Sequence, residues 1–598
     1  MKQLLRYLKN YKKECVLAPL FKMLEATFEL FVPLVMAAIV DVGIAHSDTP
    51  YILKMSGVLI ALGLIGLTCS ITAQYFSAKA AVGFSTKLRH ALFAHIESLS
   101  FTEMDKLGTA TLITRMTSDI NQTQAGVNLV LRLFLRSPFI VIGAMVMAFT
   151  VNTKAALTFV VTIPLLCIVV FGVMLISIPL YKRVQAGLDK VLGITRENLS
   201  GIRVIRAFAK EEEELTHFND ANEGLTRLQM FVAKISALMN PVTYVIINLA
   251  TVVLIYIGAI QVNTGVLTQG EVIALVNYMS QILVELIKLA NLIITVTKAI
   301  ACGNRVQMVF ELQPSFARAD FAEAAEQDKE TMQQISAEGR TVYDRMMKWA
   351  DSEYIIEFKH VGLTYKGAAE EALTDMNLKV KAGETVGIIG GTGSGKSSLV
   401  NMIPRFYDAT AGEVLFHGIN VKELPLEQLR ERIGVVMQKA VLFGGSVADN
   451  LRWGKGDATE EEMWEALEIA QAKEFVETKE NKLDFPIAQA GKNLSGGQRQ
   501  RMTIARAVIK KPEILILDDS ASALDYATDL KLRQAIAGMR EQTTTFIVSQ
   551  RTSSIMGADQ IIVLDDGQIC GHGTHEELLK NCAVYQEIYA SQFKKEVG

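Results

Sequence analysis

The sequence predicts a multidomain membrane protein: a six-helix transmembrane domain fused to an α/β domain with a phosphate-binding loop. Three observations carry this. The first half contains six apolar runs, each long enough to cross a bilayer. From Tyr354 the pattern changes to short strands, turns and helices. Within that half, Gly390-Gly391-Thr392-Gly393-Ser394-Gly395-Lys396-Ser397 follows a short aliphatic strand. Half of the 598 residues are apolar, yet 21% are charged, as expected when a hydrophobic half joins a water-soluble one. A net charge of −3 offers no basic surface, so no nucleic-acid partner is expected. Cys15, Cys69, Cys167, Cys302, Cys570 and Cys582 are scattered without a C-x-x-C pair. They read as small apolar fillers rather than a disulfide scaffold or zinc site. The expected domains are 1–310 in the membrane, a linker over 311–352, and 353–598.

The expected spans lie near 16–40, 54–76, 128–150, 155–180, 240–262 and 271–298. Ahead of them stand Lys2, Arg6, Lys9, Lys12 and Lys13. No small-residue cleavage site closes a short apolar core, so this lead-in reads as a cytoplasmic amphipathic segment, not a secretory signal. The links near 41–53, 151–154 and 263–270 are poor in positive charge, whereas those near 77–127 and 181–239 are rich in Lys and Arg. That bias places both termini and the long links in the cytoplasm. The long links have few Gly and no Pro, and mix apolar and charged residues at helical spacing. The spans are therefore expected to run on beyond the membrane as helices. Turns are expected at Gly108-Thr109-Ala110 and at Phe208-Ala209-Lys210-Glu211-Glu212, where a short helix could seat on the soluble domain.

Polar groups interrupt two runs: Lys22, Glu25 and Glu29 in the first, and Glu285, Lys288 and Asn291 in the last. Glu25 and Glu29 share one helix face. Charges at such depth pair with one another, line a cavity, or belong to a helical extension outside the bilayer. As cavity lining, Glu25, Glu29 and Glu285 would favour a cationic cargo. Pro33, Pro138, Pro164 and Pro179 can bend their spans without fixing a role. Residues 311–352, acidic at first and Ala-rich, read as a linker with one amphipathic helix.

In the soluble half, Tyr354–Phe358 reads as an early strand, and Gly383–Ile389 as a turn and a strand stopping at Ile389, with Gly390 opening the loop. Backbone amides of 391–397 can wrap phosphates, helped by the following helix N-terminus, where Ser398 joins the binding set. Lys396 is placed to reach the β and γ phosphates, and Ser397 to hold magnesium. Two further pieces raise the specificity of this loop. Leu494-Ser495-Gly496-Gly497-Gln498 is one. The aliphatic strand Ile514-Leu515-Ile516-Leu517, ending in Asp518-Asp519, is the other. Asp518 can orient the metal, and Asp519 would face the attacking water. The implied ligands are ATP and Mg2+. An ordinary acidic strand end competes with this reading, more seriously for Asp519 than for Asp518.

With these motifs the chain resembles a half-transporter of the ATP-binding cassette superfamily, exporter type, over nearly all its length and least over 311–352. The resemblance implies further roles. Tyr365 would stack on adenine, and Gln438 would sense magnesium and the membrane domain. Ser495, Gly496, Gly497 and Gln498 would cap ATP bound to the other subunit. Ser522-Ala523-Leu524-Asp525 would link the two ATP sites, and the turns in the long links would be coupling helices. Two positions depart from the family pattern. Asp519 stands in place of the catalytic glutamate and Gln550 in place of the switch histidine. A glutamate reaches one methylene further. Glutamine can donate a hydrogen bond but cannot become an imidazolium.

Both departures fall on the site built on this chain's own phosphate loop, while the signature serving the opposite site is intact. The expectation is therefore a heterodimer resembling bacterial multidrug-type exporters. This chain's site would hydrolyse ATP weakly. A second half-transporter, with an intact glutamate and histidine and an altered signature, would supply the active one. The alternatives are a homodimeric exporter with slow ATPase, and an ATP-gated membrane regulator. An importer is disfavoured because its membrane and ATPase parts are separate chains, and six spans argue against a soluble cassette protein. About 15 residues precede the first span, so no peptidase domain is expected there. The expected cargo is hydrophobic or amphipathic, drug-like or lipid, moved out across a bacterial plasma membrane.

Overall fold

The computed structural model describes residues 2–315 and 352–593. The chain divides into two compact units, one of Met1–Glu97 with Thr109–Leu312, the other of Ser98–Gly108 with Gln313–Gly598. The helix expected within 311–352 lies outside the described residues.

The first unit is helical. Among the described residues, six helices are long and apolar enough to cross a membrane: Gln3–Ile44, Thr49–Ser98, Thr109–Val151, Thr153–Ser200, Glu211–Asn263 and Gln269–Phe310. At 1.5 Å per residue, the 50 residues of the second extend about 75 Å. That is more than twice the ~30 Å hydrocarbon core, so the helix continues well beyond the bilayer. Reversals are short at 45–48, 152 and 264–268. The long links reverse at Gly108, which closes the short helix Phe101–Leu107, and at Ala209, which follows Ile202–Ala207. Ile202, Val204 and Phe208 on the second of these stand exposed. Helices pass unbroken through Pro33, Pro164 and Pro179, but the third span is interrupted by a turn at Phe134 and Leu135. Pro138 has no N–H to offer the carbonyl of Phe134, four residues before it.

Small residues let these helices approach closely. A Cβ on Gly270 would lie 2.3 Å from the Ala37 carbonyl oxygen, so only glycine fits there. Asp41 accepts from Gly270 N–H (2.7 Å) and from Thr268 Oγ1 (2.5 Å), tying the first helix to the start of the sixth. Toward the other end of the sixth helix, Asp119 accepts from Arg115 (2.7 Å) and from Arg305 Nε (3.0 Å).

Among the described residues the second unit holds two main sheets and a two-stranded ladder of Gly445–Ser446 with Pro486–Ile487. The smaller main sheet is antiparallel, in the order Leu373–Val380, Ile356–Leu363, Ala411–Phe416, Ile419–Asn420. The larger runs Gln568–Gly573, Gln560–Asp565, Thr385–Gly390, Thr544–Val548, Ile514–Asp518, Ile433–Val436, and its last five strands are parallel. Parallel strands are covered on both faces, which explains why 514–518 is continuously aliphatic and wholly buried up to its acid. Open parallel sheets bind ligands beyond the carboxyl ends of their strands. Here four neighbouring strands end on one edge and deliver Gly390–Ser397, Ser549–Gln550, Asp518–Asp519 and Gln438. Gly390, expected to open the loop, still pairs with Leu564 as the last residue of its strand.

Residues 98–108 pack within this unit. Ser100 and Glu103 form a capping box, the Tyr407 hydroxyl donates to Asp105 Oδ2 (2.7 Å), and the Phe101 ring lies 4.6 Å from Phe406.

Candidate functional site

The phosphate loop is drawn tight by its own lysine. Lys396 Nζ donates to the carbonyls of Gly390 (3.0 Å) and Gly391 (2.5 Å) and reaches Ser394 Oγ at 3.4 Å. Burial pulls its ammonium below the usual lysine pKa, against the pull of Asp519 and Asp518. A half-buried cation answered by carbonyl oxygens fits a loop that receives phosphate. Gly395 has a φ of +92 and lies against the Ala372 carbonyl and the Leu373 side chain, a conformation and a space that exclude a side chain.

Ser397 Oγ donates to Asp518 Oδ1 (3.1 Å). Burial pushes the Asp518 carboxyl up; the Ser397 hydroxyl opposes the shift and the charge of Asp519 adds to it. This hydroxyl and carboxylate are hard oxygen donors of the kind Mg2+ takes, with phosphate and water oxygens filling the rest of its shell. The residues present therefore fit Mg2+ with a nucleotide. Asp519 follows with a φ of +46, its N–H bonded to the Val548 carbonyl (3.0 Å) and its Oδ2 accepting from Gln438 Nε2 (3.3 Å).

A cavity of about 140 Å3 brings these groups together: Thr392, Gly393, Lys396 and Ser397 from the loop, with Gln438, Asp518, Asp519 and Gln550. Tyr365 is absent from that lining. Its hydroxyl lies 2.7 Å from Ser398 Oγ on the helix after the loop, and its ring meets Tyr407 edge-on at 5.1 Å. Ser495, Gly496, Gly497 and Gln498 do not line the cavity either. They begin the helix Gly496–Val508, where Gln498 N–H donates to Ser495 Oγ (3.3 Å) and Ser495 N–H to Gln498 Oε1 (3.0 Å). Gln498 thus completes a capping box, a local role that the S-x-x-Q spacing carries and that the motif reading passed over.

In the membrane unit the acids are paired with bases, the first of the readings open to them from the sequence. Arg136 Nη1 donates to Glu285 Oε1 (2.6 Å) and Arg136 Nη2 to Glu29 Oε2 (2.7 Å). Lys288 (2.8 Å) and Ser137 (2.8 Å) also donate to Glu285. Lys22 holds Glu25 at 2.5 Å and reaches Ser70 at 3.0 Å. Two bases answer two acids around Glu285, so the cluster has no net charge to offer a cation. Glu29, Glu285 and Lys288 border a cavity of about 470 Å3, beside Val32, Met36 and Gln281. Arg136 and Arg132 were legible as charges within the third run; the partners of Arg136, 107 and 149 residues away, were not.

Residues 15–286 match the family described as ABC transporter transmembrane region, and residues 373–522 match the family described as ABC transporter. An uncharacterized ABC transporter ATP-binding protein of Mycobacterium tuberculosis is 36% identical over 98% of this chain and 97% of its own length. An ATP-dependent lipid A-core flippase of Hahella chejuensis is 31% identical over 99% of this chain and 97% of its own. A bacterial Atm1-family ABC exporter solved with ATP bound superposes with a TM-score of 0.76 at 20% identity, covering 98% of this chain and 99% of that one, a likeness of fold.

These matches overturn the expectation of an unlike partner. Three relatives named ATP-dependent lipid A-core flippase match 84–99% of this chain. A dedicated second half-transporter with its own glutamate, histidine and altered signature is withdrawn as the partner of this chain. The physical reason is that Asp519 and Gln550 set the chemistry at one phosphate loop, and nothing in them specifies which chain faces it.

Proposed function

The chain belongs to the ABC transporter family, a multi-pass membrane protein with a cytoplasmic nucleotide-binding domain, and from that premise we propose that two copies of it form an ATP-driven exporter with slow turnover. The observation that carries this reading is the separation, within one chain, of Ser495–Gln498 from the phosphate cavity. An intact signature with no phosphate loop before it needs a loop from another chain, and a second copy brings one. Slow turnover follows from Asp519, a methylene shorter than the glutamate of the family pattern, and from Gln550, which cannot carry the charge of an imidazolium.

The cargo in this reading is hydrophobic or amphipathic. The name of the Hahella relative, a lipid A-core flippase, supports a lipid-like molecule. The charge-compensated border of the 470 Å3 cavity supports a cargo without a required net charge. The test is the ATPase of this chain purified alone and reconstituted in lipid. Slow turnover, cooperative in ATP and abolished by Lys396→Ala, is expected. A folded, ATP-binding chain that hydrolyses nothing until an unlike ABC subunit is added would overturn the proposal.

A further inference from the structure

The segment that carries Gln550 is held by one side chain from the far end of the described chain. Gln592 is the last residue of the helix Ala583–Gln592. Its Nε2 donates to the Gln550 carbonyl oxygen (2.7 Å). Its Oε1 accepts from both the N–H (2.8 Å) and the hydroxyl (2.9 Å) of Thr552. A single carboxamide thus closes three hydrogen bonds on residues 550 and 552, and Thr552 is wholly buried. The flanks are secured separately: Ser549 N–H donates to the Ile388 carbonyl (3.0 Å), and Arg533 Nη1 to the Ser553 carbonyl (2.7 Å). Between these two anchors Gln592 holds residues 550 and 552, Ser549 Oγ accepts from Arg551 N–H (2.9 Å), and Gln550 borders the cavity with Lys396, Ser397 and Asp519.

The chemistry of this clamp is specific to glutamine. It presents a donor to one carbonyl and an acceptor to two donors at a fixed spacing. Glutamate has the same shape but sets an oxygen against the Gln550 carbonyl. Asparagine is a methylene too short. Alanine leaves the buried Thr552 hydroxyl and N–H without this partner, a cost borne by the loop's position. The direction of the peptide at 550 decides where the Gln550 amide ends up, and an error of ~1 Å in an in-line reaction costs about 10²-fold.

We propose that Gln592 is a positioning residue for ATP hydrolysis: it clamps the Gln550–Thr552 segment so that the Gln550 amide stays directed at the phosphate cavity. The proposal rests on the reading of Gln550 as the group that faces the γ-phosphate. It places the C-terminal helix in the hydrolytic machinery, although no residue of that helix borders the cavity.

The experiment uses the full chain reconstituted in lipid. Gln592→Ala is expected to lower kcat roughly 10- to 100-fold and to leave the KM for ATP within about twofold, because the phosphate loop is untouched. Combined with Gln550→Ala it should cost nothing beyond Gln550→Ala alone, since the clamp acts through that residue. The near-isosteric Gln592→Glu keeps the accepted bonds and loses the donated one. Its activity relative to wild type should rise as pH falls toward the glutamate pKa of about 4.3, where a protonated carboxyl donates again. Multiplicative losses in the double variant, a loss expressed in KM, or a Gln592→Glu protein equal to wild type at every pH would overturn the clamp. Failure of the underlying reading shows separately, as a wild-type chain without turnover. The clamp is then read by hydrogen exchange of the Thr552 amide, which must be faster in Gln592→Ala than in wild type; equal rates reject it.

Discussion

Asp519→Glu is the perturbation that most directly weighs the chemistry of the site. The backbone at 519 is fixed on both sides: its N–H bonds the Val548 carbonyl (3.0 Å) and its own carbonyl accepts from Ser522 Oγ (2.8 Å). An added methylene therefore lengthens the reach of the carboxylate, by roughly 1.5 Å, and leaves the chain in place. Misplacement of ~1 Å is worth about 10²-fold, or about 2.7 kcal/mol of activation free energy. A rise in kcat of roughly 10- to 100-fold is expected, with the KM for ATP unchanged because Lys396 and the loop carbonyls are not disturbed. Phosphate release in lipid at saturating MgATP measures it, with Asp519→Asn as the inactive control. An Asp519→Glu protein that is protected by ATP against unfolding, yet turns over no faster than wild type, would refute the argument that reach limits this site.

Two other predictions follow from buried charge. The Asp518 carboxyl is pushed up mainly by burial, so its ionised form is disfavoured in the folded chain. The stability this group contributes is complete below the ordinary aspartate pKa of about 3.9 and is lost as pH rises through the raised folded value. Nucleotide-free Asp518→Asn should therefore melt above wild type at pH 7, with the gap closing in acid, while losing Mg2+-dependent turnover; identical melting curves at pH 7 would count against it. Arg136→Met strips the buried Glu285 and the half-exposed Glu29 of the cation they share, and a cost of about 3–5 kcal/mol, set by the buried Glu285, is expected from thermal unfolding in detergent. Adding Glu29→Gln and Glu285→Gln should recover most of it, and no recovery would mean the arginine serves packing instead.

Local patterns made much of this molecule readable. The phosphate loop and the two-acid strand each declare themselves within a few residues, because a tight turn demands glycine and a doubly covered strand demands Ile and Leu. The helix breaks at 108 and near 209 were visible for a similar reason: a glycine and a cluster of charges interrupt long helical stretches. Long-range pairings were not readable. Arg136 with Glu29 and Glu285, Asp105 with Tyr407, and Gln592 with Gln550 join residues that share no local pattern. The inference of an unlike partner failed on the same boundary: two substitutions at one site describe that site's chemistry, and the identity of a facing subunit is not encoded in them. Tyr365 shows the intermediate case, its residue type legible and its contact with Ser398 not.

The distance within one chain between Ser495–Gln498 and the phosphate cavity has a genetic meaning. In the two-copy assembly proposed above, a lesion at Lys396 and a lesion at Gly496 would behave as alleles in a cis–trans test. Carried on different copies, they gather at one interface and spare the other. Carried on the same copy beside an unaltered one, they spoil both. Within a dimer of defined composition, arrangement alone, with the same two lesions, separates one surviving site from none.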